Sequence, residues 1–402
     1  MITPQLIEEW IAEIKARPGS APVILRALGE RLRALSQQNE ALLTENLELR
    51  SGKRADEYEQ RIASLEYQLE LLKRQVGGQL NLEPLAENHA AETTGLNTLS
   101  LLLYTARGQV LRLEVDLDQL ESGTLLAHLI DQEQASERNP SLLATRSQEE
   151  LLLAFDSGRS ETLPVNLLPL ANSKDLRWDQ AGQIECRGLE ELVSLLPVAT
   201  LPLYEHVIQA SRRGYVRKLT RGFFETCLAK SYIGTGIRLQ ADQAAGLLLA
   251  NPTHRLVLAS REGYLWNMAV ADLPVTLEEA MRLGRSDHLI ALFSLLPQEQ
   301  LLLVTQTSKV IHRQADWLKP DLEITGRGQA SYSSRHREAG VHLMAAAAFA
   351  EPEAAWGFAL GSSGQLRAHR LADLLSAGAL PLAAPQDEIL AFHLYQPGRT
   401  AI

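Results

Sequence analysis

Val207-Ile-Gln-Ala-Ser-Arg-Arg-Gly214-Tyr-Val-Arg-Lys218 reads as an apolar strand, a turn at glycine and a second strand that carries basic residues. The pattern returns downstream as Leu256-Val-Leu-Ala-Ser-Arg-Glu-Gly263-Tyr-Leu-Trp266 and Leu301-Leu-Leu-Val-Thr-Gln-Thr-Ser308-Lys-Val-Ile-His-Arg313. It closes with Gly357-Phe-Ala-Leu-Gly-Ser-Ser-Gly364-Gln-Leu-Arg367. Upstream it stands as Leu101-Leu-Leu-Tyr-Thr-Ala-Arg-Gly108-Gln-Val-Leu-Arg112 and Leu151-Leu-Leu-Ala-Phe-Asp-Ser-Gly158. From turn to turn the spacings are 50, 56, 49, 45 and 56 residues. A hairpin repeating at about 50 residues marks a propeller with one blade per repeat. The expectation is a mainly β fold, a six-bladed propeller over 98–402.

Composition narrows the classes. The chain has 402 residues, 45% apolar and 22% charged, which places it with globular proteins. Its two cysteines, Cys186 and Cys227, form no CxxC and suit a reducing compartment. No apolar run is long enough to cross a membrane, and the N-terminus carries acids where a signal peptide needs bases. The reading is cytoplasmic, nucleoid-associated if DNA is bound, with no membrane partner.

The net charge of −10 is unevenly placed. Residues 98–203 hold 8 basic and 16 acidic side chains, 204–340 hold 17 and 13, and 341–402 hold 3 and 5. The middle blades are positive on a negative background, which points to one interacting face.

The first quarter reads as helix. Leu6, Ile7, Trp10, Ile11 and Ile14 fall on one helical face with Glu8, Glu9 and Glu13 opposite, an amphipathic helix over 1–20 that suits a protein partner better than a membrane surface. Residues 21–77 are heptad-patterned, with Leu28, Leu35, Leu42 and Leu49 at d, and Leu25, Leu32, Asn39 and Asn46 at a. A second run places Tyr58, Leu65 and Leu72 at d and Ile62, Leu69 and Val76 at a, out of phase with the first and interrupted near 51–54. Complementary g–e′ charges (Glu45 with Arg50, Arg61 with Glu66) favour a dimeric coiled coil; the alternative is a helical hairpin within one chain. Residues 78–97 read as linker.

Ser211-Arg-Arg-Gly214-Tyr-Val-Arg-Lys-Leu219, followed by Tyr232-Ile-Gly-Thr-Gly236-Ile-Arg-Leu239, resembles the blade motif of the C-terminal domain of the DNA gyrase A and topoisomerase IV family. The follow-on stretch recurs as Gly284-Arg-Ser-Asp-His-Leu-Ile-Ala-Leu292 and Gly326-Arg-Gly-Gln-Ala330. The resemblance covers 98 to the end and implies a pinwheel propeller whose outer rim binds and bends duplex DNA. The catalytic portion of those topoisomerases and the glycine-rich basic box of gyrase have no counterpart here. A topoisomerase is excluded, and the resemblance does not extend to strong wrapping.

Candidate phosphate contacts are Arg212, Arg213, Arg217, Lys218, Arg221, Lys230 and Arg238 in blade three. Arg255, Arg261 and Arg285 extend the set through blade four, and Lys309, Arg313, Arg327, Arg335 and Arg337 through blade five. Charge at such spacing serves sequence-independent, weak binding; the alternative is ordinary solvated surface. Blade two, with Arg159-Ser-Glu161 after its turn, and blade four, with Asn267, lack the basic position, so an arc is expected and not a full circuit. Tyr215, Tyr264, Phe223 and Phe224 either stack on bases or pack in the blades. His312, His336 and His342 lack metal-site spacing, Asp116 and Asp118 read as a solvated face, and no enzyme motif occurs. No catalytic residue, metal or cofactor is expected. The reading is a non-catalytic DNA-binding, bending or bridging homodimer; the alternative is a protein–protein scaffold.

Overall fold

The computed structural model describes residues 98–130, 140–171, 175–188, 190–229, 243–321, 323–376, 381–384 and 386–397, with eight further positions between 12 and 30. The chain divides into two compact units, Met1–Thr93 and Thr94–Ile402. The helix expected over 1–20, the coiled coil over 21–77 and the linker over 78–97 lie outside the described residues apart from those eight positions.

The second unit is a six-bladed β-propeller. Every one of the six repeats forms an antiparallel hairpin. The hairpins are Thr98–Tyr104 with Gln109–Asp116, Glu150–Phe155 with Ser160–Pro164, and His206–Ser211 with Tyr215–Thr220. The others are Arg255–Ser260 with Tyr264–Ala269, Gln300–Thr305 with Val310–Gln314, and Trp356–Gly361 with Gln365–Arg370. A third strand pairs with the first strand of each hairpin: Ser141–Arg146, Leu192–Pro197, Ala244–Ala250, Leu289–Leu295, Leu343–Phe349 and Ile389–Tyr395 in blades one to six. Most of these third strands contact the third strand of a neighbouring blade, and they read as nearly unbroken apolar runs with buried and partly buried positions.

The outer edge of a blade is closed by its neighbour's chain. Gly182–Gln183, which follows the blade-two hairpin, pairs onto Gln109–Val110 of blade one. Glu278–Glu279, from beyond the blade-four hairpin, pairs onto Tyr215–Val216 of blade three, and Gln329–Ala330 pairs likewise onto Tyr264–Leu265 of blade four. Thr124–Leu129, from beyond the first hairpin, pairs onto Gln365–Ala368 of blade six and closes the ring. Such exchange covers edges that would otherwise template aggregation.

The apolar cores lie between blades. One buried layer joins blades one and six through Leu101, Leu113, Phe358 and Leu366. Others join blades one and two, two and three, three and four, four and five, and five and six. Trp266, Phe224, Phe349 and Phe358, the largest wholly buried side chains among the described residues, each sit in one of these layers.

The predicted turns all take left-handed backbone: Gly108, Gly158, Gly214, Gly263 and Gly364 have φ of 82, 89, 88, 85 and 82°, and Ser308 has 62°. At Gly214 a Cβ would also stand 2.3 Å from the Met281 carbonyl oxygen, because the exchanged strand crosses directly over the turn. Among the described residues no exchanged strand crosses blade five, and there the serine is accommodated at the cost of its backbone region alone. Gly214→Ala is therefore expected to lower unfolding free energy by about 2 kcal/mol or more, from backbone strain plus the clash. Ser308→Gly should raise it by up to about 1 kcal/mol. Denaturant midpoints at unchanged slope measure both; a neutral Gly214→Ala would contradict the crossing strand.

Candidate nucleic-acid interface

The six tight turns share one end of the ring, and a belt of backbone hydrogen bonds ties them together there. The residue two before the turn donates its N–H to the residue that precedes its own third strand: Asp156 to the Glu191 carbonyl (2.9 Å), Arg212 to Gln243 (2.7 Å), Arg261 to His288 (2.9 Å), Gln306 to His342 (3.1 Å) and Ser362 to Glu388 (2.7 Å). Its carbonyl in turn accepts from the third strand of the next blade, as Arg212 does from Leu289 (2.9 Å), Arg261 from Leu343 (2.8 Å) and Gln306 from Ile389 (2.8 Å). The charge of the side chains on this belt is sectored. Arg212, His288, Arg261 and His342 occupy blades three to five, whereas Asp156, Glu191 and Glu388 occupy blades two and six.

Five of the fifteen candidate bases are exposed at this end: Arg212, Arg261, Arg285, Lys309 and Arg335. Arg212 donates to Gln243 Oε1 at 3.1 Å, and an Arg261 nitrogen stands 3.3 Å from His342 Nε2. Among the described residues none of the five makes an ion pair, and the side chains of Arg285, Lys309 and Arg335 make no hydrogen bond. Their charge is available to solvent.

Other candidates spend their donors inside the protein. Arg213 holds the 283–287 crossover through the carbonyls of Gly284 (3.0 Å), Asp287 (2.7 Å) and Leu283 (3.4 Å). Lys218 Nζ donates to the carbonyls of Val270 (2.9 Å) and Ala271 (2.6 Å), in the short 3-10 turn that follows the blade-four hairpin. Arg255 donates to the carbonyls of Ala315 (3.0 Å) and Leu318 (3.2 Å), at the equivalent turn after blade five. Arg217 is half-buried, donates to Gln209 Oε1 at 2.5 Å and leaves Nη2 without a partner; burial presses its pKa and that of Arg255 down. Arg221 pairs with Glu225 at 3.5 Å and donates to the Pro202 carbonyl at 2.7 Å.

A clamp explains the recurring cation four residues past the turn. In a 3-10 turn one carbonyl accepts the cap N–H, as Val165 does from Leu168 and Val270 from Leu273, and the preceding blade supplies donors to it and to a further carbonyl of the segment. Arg112 fills that place in blade one, reaching the carbonyls of Val165 (3.2 Å) and Leu168 (3.3 Å). Lys218 fills it in blade three; in blade four Arg255 takes the carbonyls of the equivalent turn, and neutral Asn267, at the position of Lys218, places Nδ2 at 2.6 Å from the Lys319 carbonyl just beyond it. Because the acceptor is a neutral carbonyl, an uncharged amide can also donate to it, with a weaker bond than an ammonium makes.

The acidic half carries a buried ion pair at blade two. Arg159, flat against the Phe155 ring at 3.8 Å, binds both oxygens of Glu190 at 2.7 to 3.2 Å and also meets Glu161. Burial alone would raise the Glu190 carboxyl, but hydrogen bonds from Arg159, Ser157 and the Arg187 N–H outweigh it and hold the pKa down to about 2.

Beside the exchanged strand of blade four, Arg327 and Arg337 lie over the Tyr264 ring at 4.6 and 5.0 Å, with Arg337 also donating to the Tyr332 carbonyl. Arg313 is exposed near the far end of blade five, 5.8 Å above Trp317. Lys230 and Arg238 lie outside the described residues. Of the aromatics, Phe224 is buried, Phe223 is exposed, and Tyr215 and Tyr264 are half-buried. Asp116 accepts the Asp118 N–H and caps a 3-10 turn. Among the described residues no group of three or more His, Cys, Asp or Glu is placed to hold a metal.

His288 and Gln243 enter the belt although the sequence pattern did not single them out. Their signal is positional: each stands one residue before an apolar third strand, as do Glu191, His342 and Glu388.

No protein-family model matches the sequence, and no curated protein does. Among solved structures the chain is similar to the DNA gyrase A C-terminal domain, with a TM-score of 0.56 and 13% identity over 73% of this chain and 98% of that domain. It also matches the C-terminal domain of DNA topoisomerase IV, with a TM-score of 0.47 and 16% identity over 74% of this chain and 93% of that one. The gyrase likeness shows the propeller fold.

Two expectations follow from this geometry. Lys218→Met, which removes the ammonium from the Ala271 carbonyl and from the Val270 carbonyl (the latter keeping its bond from the Leu273 N–H), should lower unfolding free energy by about 1–2 kcal/mol, whereas Arg212→Met should change it by no more than about 0.5 kcal/mol. Equal effects would dissolve the distinction between clamping and free cations. For Glu190, a carboxyl held below its ordinary 4.5 contributes stability that is full above that value and is lost as pH falls toward about 2. Chemical denaturation across pH 5 to 2 should show the parent losing about 3 kcal/mol more than Glu190→Gln, which starts lower at pH 7 by a similar amount. Parallel curves would contradict the paired carboxylate.

Proposed function

We propose that this protein is a non-catalytic DNA-binding protein whose propeller holds duplex DNA by its phosphates, without reading sequence. The observation that carries the reading is the set Arg212, Arg261, Arg285, Lys309 and Arg335, exposed on one end of blades three to five and making no ion pair among the described residues. The likeness to the gyrase A C-terminal domain gives a fold of the same kind as support. Cation spacing without directional side-chain frames suits backbone contacts, which position DNA and carry no base information. In this reading the heptads of 21–77 pair two chains, and two weak propellers bridge or bend one duplex through effective concentration. The protein works in the cytoplasm, at the nucleoid.

The second reading is a protein–protein scaffold. It is favoured by the acidic sector of Asp156, Glu191 and Glu388 and by Leu167 and Leu170, exposed at 70% and 56% beside blade two. In both readings the helix over 1–20 offers an acidic amphipathic face to a protein partner.

Titrating the full chain against linear and supercoiled duplex over a salt series separates the two. DNA binding predicts measurable affinity at low salt and a log–log salt slope of roughly 0.9 for each phosphate engaged. Charge reversal at Arg212, Arg285 and Lys309 should make that slope shallower by about 3. No binding by the parent even at low salt would leave the scaffold.

A further inference from the structure

We propose that the phosphate-binding site is the arc Arg212–His288–Arg261–His342 at the turn end of the ring, so that duplex DNA lies across blades three to five around the axis and takes up protons when it binds. The inference rests on the DNA reading and assigns its site.

The four residues are consecutive on the backbone belt. The Arg212 carbonyl accepts from Leu289, the neighbour of His288; the His288 carbonyl accepts from Arg261; the Arg261 carbonyl accepts from Leu343, the neighbour of His342. Main-chain bonds of 2.8 to 2.9 Å therefore hold two guanidiniums and two imidazoles side by side across three blades. Arg212 and Arg261 are exposed and the two histidines half-buried, an arrangement with long cations outermost and rings behind them.

The outer edge is built differently. Its cations Arg327 and Arg337 sit on the Tyr264 ring, and the exchanged strand beside blade three presents Glu278 and Glu279, which repel phosphate. Lys218, on the outer strand of blade three, is committed to carbonyls. Exposed cations also stand elsewhere, Arg327 on the outer edge and Arg313 and Arg370 at the opposite end, whereas the turn end sets Arg212 and Arg261 on neighbouring blades along the belt.

The histidines give the site a signature. His288 faces Arg212 and Arg261, with Asp287 as the acid beside it among the described residues, and Asp287 already accepts the N–H groups of Glu262 and His288. His342 faces Arg261, Glu388 and the Gly340 carbonyl. Burial first, and then the adjacent guanidiniums, lowers the pKa of both rings. A phosphate placed among these arginines cancels the repulsion and lets the rings protonate, which strengthens binding as pH falls through the histidine range.

The test uses the full chain and a labelled duplex read by anisotropy at two salt concentrations and at pH 7.5 and 5.5. The parent should bind at least about tenfold more tightly at pH 5.5. Arg212→Ala with Arg261→Ala should bind at least about tenfold more weakly at low salt, with a slope shallower by about 2. His288→Gln with His342→Gln should match the parent at pH 7.5 and lose the pH dependence. Arg313→Glu with Arg370→Glu, at the opposite end of the blades, should keep both affinity and pH dependence. Should the histidine variant fold poorly, calorimetry of the parent in two buffers of different ionisation enthalpy must still show proton uptake on binding. Binding by the parent that is flat in pH, or lost from the Arg313/Arg370 variant and kept by the Arg212/Arg261 variant, overturns the site. No binding by the parent at either pH overturns the DNA reading itself.

Discussion

A blade of this protein cannot bury its own apolar faces. Each is one sheet thick, with leucines and valines on both sides, and the burial that stabilises it comes from the blades before and after it. The architecture follows from that dependence: six interfaces, none inside a blade, and a ring that must close for the first and last sheets to be covered. The exchanged strands and the carbonyl clamps answer the same need in polar terms, since they satisfy backbone groups at blade junctions that a neighbour would otherwise bury unpaired.

The hairpins were legible in the sequence because a turn that demands left-handed backbone selects glycine, and glycine at a steady interval is easy to see. Ser308 was found only through its flanking pattern, and its backbone confirms the place. The exchanged strands were not legible as strands. Gly182–Gln183, Glu278–Glu279 and Gln329–Ala330 are two residues long, and so short a segment has no periodicity to display.

The charged residues divide along a line that sequence does not draw. An arginine that reaches solvent and a lysine aimed at a backbone carbonyl look alike in a strand–turn–strand pattern, because sequence shows the charge and not what it meets. Lys218 and Arg212 stand six residues apart; one joins two blades and the other reaches solvent. The substitution of Asn267 at the clamp position reads as a break in a basic path, yet in the fold it continues a structural series. Once the blade-to-blade belt is known, the residues ahead of each third strand become a coherent set, and His288 joins it for the same reason that Glu388 does.

Strand Thr124–Leu129 gives the ring a seam whose two sides are far apart in the chain: Arg367 Nη1 reaches the Gly123 carbonyl across 244 residues. A ribosome that has completed blade one has produced half of a joint whose other half is still hundreds of residues from being made. Until then the strand offers an unpaired edge, and long-range β pairing of this kind assembles slowly. The seam is thus the place where synthesis order and architecture conflict, and the nascent propeller is most vulnerable at the blade it makes first.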